Sequence, residues 1–249
     1  MIFRRLAQSL KEQNWTTIFI EFVLLVLGVF LGLQAANWND ARTDRALEST
    51  YLASLAEDIR GDVEEIDEIG RVSTQRMAAL GYLIRAASGK ELPVAFESAR
   101  GRIEIETVPA YDENDPKTIG ISLFILTTLD GNRLTYDTLV DNAGINVIRD
   151  PALIRAIRSY YAAVDKALIF ESEMKVSRVG LVDAQQQSGL SPADATPASE
   201  LVQTFAGDPA LLAAAKNYWL YTNRHLKVMK QLRRDALALV AQIDSGKQP

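Results

Sequence analysis

Cysteine is absent from this 249-residue chain, and histidine occurs once, as His225. Without thiols the chain forms no disulfide and carries out no thiol catalysis. A single imidazole builds neither a histidine-rich zinc site nor a His-Glu-x-x-His motif. The lack of cysteine is compatible with an oxidising compartment but does not prove one. We expect His225, beside Arg224 and Lys227, to be an exposed or half-buried helix residue, with pH sensing as the alternative.

Sequence motifs for phosphate cradles and serine nucleophiles are also missing: there is no G-x-G-x-x-G, P-loop or G-x-S-x-G. The acidic segment 112–115 lacks the spacing of an EF-hand, so we expect a solvated loop. The four carboxylates between Glu64 and Glu68 are expected on a helix surface rather than in a glycosidase cleft. The net charge is −5, with no basic cluster outside the N-terminal tail, which argues against nucleic-acid binding. We therefore predict no catalytic residues, no metal site and no cofactor.

One long apolar run is present, from Ile18 to Ala36. Within it Glu21 is the only ionisable residue and Gln34 the only other strongly polar one. A bilayer core needs about 20 apolar residues in a helix, because every backbone group must be satisfied internally. The run therefore predicts a transmembrane helix over residues 15–38. The alternative is the buried helix of a soluble core, which fits poorly because this run is apolar on all sides.

The flanks of the run indicate its anchors and its orientation. Trp15 and Trp38 suit the two headgroup layers, about 34 Å apart along a helix. Positive charge is in excess before the run and balanced after it, which predicts a cytoplasmic amphipathic tail over residues 1–14 and an extracytoplasmic helical domain over residues 39–249. In a Gram-negative cell these locations are the inner membrane and the periplasm. A cleaved signal peptide is the alternative, but the apolar run is long and no small-x-small cleavage site follows it.

Glu21, Gly28 and Gly32 fall on one helix face, and the two glycines form a GxxxG pattern. Small residues let two helices approach closely in lipid, so we predict that this face pairs with a second helix. The alternative is that the GxxxG pattern arises by chance, as it often does in apolar helices. Glu21 either reaches the headgroup layer, contributes to helix pairing, or handles an ion or proton.

Apolar residues at heptad spacing predict three long helices beyond the span. The first runs from Leu47 to Gly89, and the others begin at the Asp-Pro pairs 150–151 and 208–209, where a capping residue precedes a proline at the first helical position. We predict an all-α chain in which one N-terminal transmembrane helix is followed by an elongated antiparallel helical bundle.

The segment between the first two long helices is less regular, and we expect shorter elements there. They are a strand or extended stretch over 102–110, a buried helix over 119–129, a turn at 130–132, and a short helix over 136–143 that Thr135 caps and Gly144 ends. Residues 188–200 are expected to be a loop.

Five aromatic residues are the best candidates for a partner or ligand surface: Tyr160, Tyr161, Tyr218, Trp219 and Tyr221. Aromatic rings with a polar tip favour interfaces. The alternative is the bundle core, and Tyr161 and Trp219 fit core heptad positions directly. The other three tyrosines are retained as a possible partner surface.

The span and part of the external domain resemble a family of uncharacterised single-pass bacterial membrane proteins, a domain of unknown function. The shared pattern comprises Glu21, Gly28, Gln34, Asn37, Trp38, Asn39, Thr135, Tyr136, Leu139, Gly144, Tyr160 and Tyr161. The resemblance implies a topology and no assigned activity. It also places Glu21 and Gln34 in the pattern of the span, which favours a helix-pairing role for both.

These features predict a non-enzymatic, membrane-anchored protein that binds a partner or serves as a scaffold or accessory subunit of a membrane complex. Its expected partners are the lipid bilayer and either another membrane protein or a second copy. The alternative is a ligand-sensing external domain. Because about 14 cytoplasmic residues cannot house an output domain, such a sensor would signal through a partner transmembrane helix. A membrane-tethered enzyme is the third hypothesis, and no residue constellation supports it.

Overall fold

The computed structural model describes residues 15–98, 101–112, 119–143, 145–191, 194 and 196–246, with the backbone alone for residues 15–18, 121, 142 and 143. The predicted tail (1–14), most of the acidic segment, Gly144 and part of the 188–200 loop lie outside the described residues. The prediction of a mainly all-α chain is confirmed. The helices are α1 (Trp15–Ser88), α2 (Ile119–Phe124), α3 (Leu134–Thr138), α4 (Pro151–Gln187), α5 (Ala198–Gly207) and α6 (Pro209–Ser245).

The chain divides into two compact units, Met1–Thr50 and Tyr51–Pro249, and α1 contributes to both. In the first unit nearly every described side chain of α1 is exposed. Helix α1 is the only helix in the described part of the chain that is long and apolar enough to cross a membrane, and none of its apolar window is buried. A core helix of a soluble protein would be mostly buried. An exposed apolar helix near the N-terminus is either a membrane span or a signal sequence.

The second unit is built on the C-terminal part of α1 packed with α4 and α6. Successive residues of α1 contact successively earlier residues of α6, so these two helices are antiparallel. The pairs that show this are Arg60 with Asp244, Asp67 with Arg233, and Ser73 with His225. Helix α4 runs parallel to α1, because Asp62 contacts Tyr160 and the later Glu171 lies level with His225.

Two apolar clusters fill the bundle. The first contains Leu55, Ile59, Ile66 and Ile69 of α1, with residues from the start of α4 and the end of α6. The second contains Met77, Leu80, Leu83 and Ile84 of α1, with residues from α2, α4, α5 and the start of α6. Buried polar side chains lie along α1 between the two clusters, at Ser73 and Arg76.

The segment between α1 and α4 confirms some local predictions and contradicts others. Strands β1 (Ala95–Ser98) and β2 (Gly101–Glu104) form an antiparallel pair. The strand predicted over 102–110 is found only as far as Glu104, and β1 was not predicted. Gly131 has φ +65°, which fits the predicted turn. The helix predicted over 119–129 is wrong in extent, since α2 ends at Phe124.

Thr135 does not cap the next helix. Helix α3 begins at Leu134, and the Asn132 side chain accepts a hydrogen bond from the Leu134 N–H at 3.2 Å. A π-helical turn, Leu139–Ala143, follows α3. A single 3₁₀ turn, Ile145–Val147, then precedes α4.

Both predicted Asp-Pro helix starts are confirmed. The Asp150 carboxylate accepts a hydrogen bond from the Ala152 N–H at 2.7 Å. The Asp208 carboxylate accepts from the Ala210 and Leu211 N–H groups at 2.9 and 3.0 Å, and its other oxygen accepts from the Ser188 hydroxyl at 2.6 Å. Asp208 therefore caps α6 and also ties its start to the end of α4.

We predict that Asp208 makes the stability of the bundle fall at low pH. The Ser188 hydroxyl, followed by the capping N–H groups, holds the pKa of Asp208 below its ordinary 3.8. For an acid whose folded-state pKa is lowered, the stabilisation is present above the unfolded pKa and is lost as pH falls through the folded one. Melting curves below about pH 4 should therefore fall more steeply for the wild type than for Asp208→Asn, which keeps the capping oxygen but does not titrate. Superimposable pH profiles of the two proteins would contradict this role.

Candidate functional site

The residues predicted to pair membrane helices are exposed in this single chain. Glu21, Gly28, Gly32 and Gln34 all lie on the surface of α1. A Cβ built at Gly28 or Gly32 would meet no atom within 4 Å. Packing within the chain therefore does not require glycine at either position. Trp38 is exposed, whereas the side chain of Trp15 lies outside the described residues.

The prediction of a tyrosine partner surface is wrong for two of its three members. Tyr160 and Tyr218 are 2% and 0% exposed. Both rings face the inside of the three-helix bundle, because each tyrosine lies on the helix face that carries the neighbouring core residues. The core positions expected for Tyr161 and Trp219 are confirmed.

Tyr221 is half-buried and lines a surface cleft. The cleft has a volume of about 380 Å³ and also contains Phe96 and Ile103 of the strand pair, with Arg224 and Lys227 at its edge. The Tyr221 ring stacks on Phe170 of α4 at a centroid distance of 5.9 Å. An apolar floor with cationic residues beside it is chemically suited to an apolar group that carries a negative charge.

Carboxylates of α1 hold the turn that precedes α3. Asp62 accepts hydrogen bonds from the Asn132 N–H at 2.9 Å and from the Tyr160 hydroxyl at 2.7 Å. Glu65 accepts from the Asp130 N–H at 2.7 Å. Burial raises the pKa of Asp62 and of Glu65, and these hydrogen bonds oppose the shift. Glu65, expected on a free helix surface, thus binds the backbone of the turn.

His225 is fully buried, which contradicts the expectation of an exposed or half-buried residue. Its Nδ1 lies 3.1 Å from the Ser73 hydroxyl and its Nε2 lies 2.8 Å from the Glu171 carboxylate. Glu171 also accepts from the Leu129 N–H, at 3.1 and 3.2 Å. A neutral imidazole that donates through Nε2 and accepts the Ser73 O–H at Nδ1 satisfies every member of this network.

Serine, histidine and glutamate are also the residue types of a nucleophilic triad. Here Ser73, His225 and Glu171 are at most 2% exposed. A substrate carbonyl therefore has no path to the Ser73 oxygen in this arrangement. The network ties α1, α4 and α6 to one another at a single level of the bundle, which is a structural role.

The burial of Ser73, Glu171 and His225 is not predicted from the sequence, although the sequence contains a signal for it. The apolar pattern has gaps around Ser73 in α1, Glu171 in α4 and His225 in α6. A polar residue at a position where heptad spacing expects an apolar one is a candidate for the interior. The sequence of one helix alone does not indicate that these three polar residues contact one another.

We predict that Tyr160 contributes to stability and not to partner binding. Replacing it by Phe leaves Asp62 with a buried oxygen that has lost its donor, so the free energy of unfolding should fall by about 1–3 kcal/mol. The matched change Tyr221→Phe removes a hydroxyl from a half-buried ring and should stay within about 0.5 kcal/mol. Denaturant unfolding of the two variants provides the comparison, and equal effects would contradict the assignment.

The His225 network predicts a graded response to truncation. Ser73→Ala removes one neutral donor and should lower the free energy of unfolding by about 1 kcal/mol. Glu171→Leu leaves the Leu129 N–H and the His225 ring unpaired, so a loss of about 3–5 kcal/mol is expected. The exposed neighbour Glu173→Leu serves as the control in the same denaturation experiment. A small effect of Glu171→Leu would show that the network is dispensable.

Comparison with known proteins provides no family to which these features can be assigned. No protein-family model, no curated protein and no solved structure matches the chain. The resemblance seen in the span and the middle of the external domain therefore stays a prediction, and the function has to be argued from the residues themselves.

Proposed function

We propose that this protein is a single-pass, membrane-anchored scaffold or accessory subunit that binds its partners through its span and its helical bundle. The span pairs with a second transmembrane helix, from another membrane protein or from a second copy of this chain. The observation that carries the proposal is the open face of α1: Gly28 and Gly32 have no atom within 4 Å of a built Cβ, and the surrounding apolar side chains are exposed. Two helices that met at these glycines would bring their backbones close together.

Glu21 supports the same face. It lies on the Gly28–Gly32 side of the helix, and no other described residue hydrogen bonds or ion pairs with its carboxylate. A carboxylate in hydrocarbon is usually found facing protein, water or a partner charge. A polar group from a second helix would provide such a partner. Gln34 lies about 160° around the helix from Gly32, outside this face.

The flanking charges support the location of the proposed scaffold. Lys and Arg are in excess before the apolar segment, which favours a cytoplasmic N-terminus. The helical bundle then lies on the outer face of a bacterial inner membrane, in the periplasm. The resemblance described above carries the same topology.

An exposed apolar stripe on α4 supports partner binding by the bundle. Ile169, Val176 and Val179 are 65%, 71% and 50% exposed, and their spacing places them on one face of the helix. Aliphatic side chains that remain in water at this spacing are typical of a face that packs against another protein.

Ligand sensing by the bundle is the second candidate function, and one observation favours it. Arg76 is fully buried with two of its three guanidinium nitrogens unpartnered. A buried cation with free donors is the chemistry of a binding site for an anion.

The pairing face yields a direct prediction. Gly28→Ile combined with Gly32→Ile separates the two backbones, so self-association or partner association of the span should weaken about tenfold without loss of membrane insertion. A membrane two-hybrid assay measures the association. Phe30→Ile, on the opposite face of the helix, introduces the same side chain and should leave association unchanged.

The partner itself is sought by purifying tagged full-length protein in mild detergent and comparing wild type with Glu21→Leu by mass spectrometry. A stoichiometric membrane protein that is lost in the variant supports an accessory-subunit role. Recovery of this chain as a pair with itself, again lost in the variant, supports self-association. Unchanged association in both the Gly28/Gly32 and Glu21 variants would overturn the proposal.

A further inference from the structure

Arg76 of α1 is the largest fully buried side chain of the bundle. One of its terminal nitrogens donates to the carbonyl oxygen of Ile125. Its Nε and its other terminal nitrogen are buried and have no hydrogen-bond partner. Polar groups in protein interiors are almost always paired, and a buried charge needs both a counter-charge and hydrogen bonds.

Arg76 has no acidic partner among the described residues. Within the described part of the chain the groups that act on it electrostatically are Tyr218 and a second cation, Arg178. Burial, followed by the repulsion from Arg178, lowers the pKa of Arg76, and the nearby Tyr218 opposes the shift. Among the described residues, two guanidinium groups thus lie near each other, and no carboxylate acts on Arg76.

The second arginine is held beside the first by the last residue of α2 and the residue after it. Arg178 of α4 donates to the carbonyl oxygen of Phe124 at 3.2 Å, next to the carbonyl that binds Arg76. The Nε of Arg178 is buried and unpartnered. The Arg178 guanidinium also lies 5.2 Å from the centroid of the Phe124 ring, which keeps it in place.

Tyr218 of α6 completes the set. The Arg76 guanidinium lies 5.6 Å from the centroid of its ring, and the Tyr218 hydroxyl is buried without a partner. Burial raises the pKa of Tyr218, so this hydroxyl stays protonated and able to donate. Thr127, two residues beyond Ile125, adds another buried hydroxyl with no partner.

We propose that Arg76, Arg178 and Tyr218 form a binding site for a small oxyanion. The unpartnered nitrogens are all donors, and the Tyr218 hydroxyl is able to donate as well, so what the site lacks is an acceptor with negative charge. Guanidinium groups match the geometry of carboxylate and phosphate oxygens, and an oxyanion would neutralise the repulsion between the two cations.

The position of the site limits the size of its occupant. Arg178 is only half-buried, and Phe124 and Ile125 are 40% and 44% exposed, so the guanidinium groups lie close below the surface of the bundle. Arg76 and Tyr218 themselves are fully enclosed. Because these two side chains are enclosed, the proposed occupant is a small ion such as phosphate, sulfate or acetate rather than a large organic anion. This site goes beyond the proposed scaffold role, because it concerns the bundle alone and not the pairing of the span.

Thermal unfolding of the full-length protein in detergent tests the proposal. Protein dialysed into chloride buffer is titrated with sodium phosphate, sulfate or acetate, with chloride added to equal ionic strength in the control. We expect Tm to rise with oxyanion concentration and not with chloride, because a ligand that binds only the folded state stabilises it. Tyr218→Phe should weaken oxyanion binding about tenfold, since it removes one hydrogen bond to a charged group.

Arg76→Met gives a second, opposite signature. In chloride this variant should melt at or above the wild-type Tm, because an unpaired buried cation has been replaced by an apolar side chain of similar length. In saturating phosphate the order should reverse. Arg158→Met removes an exposed arginine from the same helix as Arg178 and should respond to phosphate as the wild type does.

Three outcomes would overturn the site: no rise in Tm with any oxyanion, an equal rise with chloride, or an unchanged response in Tyr218→Phe together with Arg178→Met. The last pair decides the question even if Arg76→Met does not fold. Loss of the oxyanion response leaves the two-hybrid result for the span untouched, so the two proposals fail independently.

Discussion

The imidazole of His225 lies between Ser73 of α1 and Glu171 of α4, and through this one side chain the three long helices meet at a level where the apolar core is interrupted. Apolar packing alone tolerates a helix that slides by one turn, since one aliphatic row resembles the next. A buried hydrogen-bond network does not, because every donor and acceptor must find its partner again. The two apolar clusters on either side of this level supply the burial, and the network supplies the register.

The same principle governs the segment between α1 and α4. Gly131 lies close against Val164 and the buried Leu129, and Asp62 and Glu65 of α1 accept hydrogen bonds from the backbone of this turn. This turn leads directly into α3, whose Tyr136 ring stacks on Tyr161 at a centroid distance of 4.1 Å. A connection with few regular elements is thus positioned by carboxylates of the long helix α1.

The buried polar groups are not equivalent. The Ser73–His225–Glu171 network has a partner for each of its members, whereas Arg76 and Tyr218 retain donors that nothing in the described chain satisfies. A network in which every hydrogen-bonding group has a partner is accounted for by its structural role in the fold. The unpartnered donors of Arg76 and Tyr218 lead us to propose a ligand. In the same way, the open space around the glycines of the span leads us to propose a second helix. Both proposals start from a group whose environment within the chain is incomplete.

Sequence by itself determined the features whose physical cause is local. These are the exposed apolar helix, the two aspartate caps, the glycine turn and the all-α class, each of which depends on neighbours within a few residues. Only the tertiary structure decided that Tyr160, Tyr218 and His225 face inward and that Arg76 lies beside Arg178 rather than beside an acid. Burial depends on which faces of three helices meet, and that relation joins residues up to 184 positions apart. The sequence of one helix shows where a polar residue interrupts its apolar pattern, but the hydrogen-bonding partner of that residue belongs to another helix.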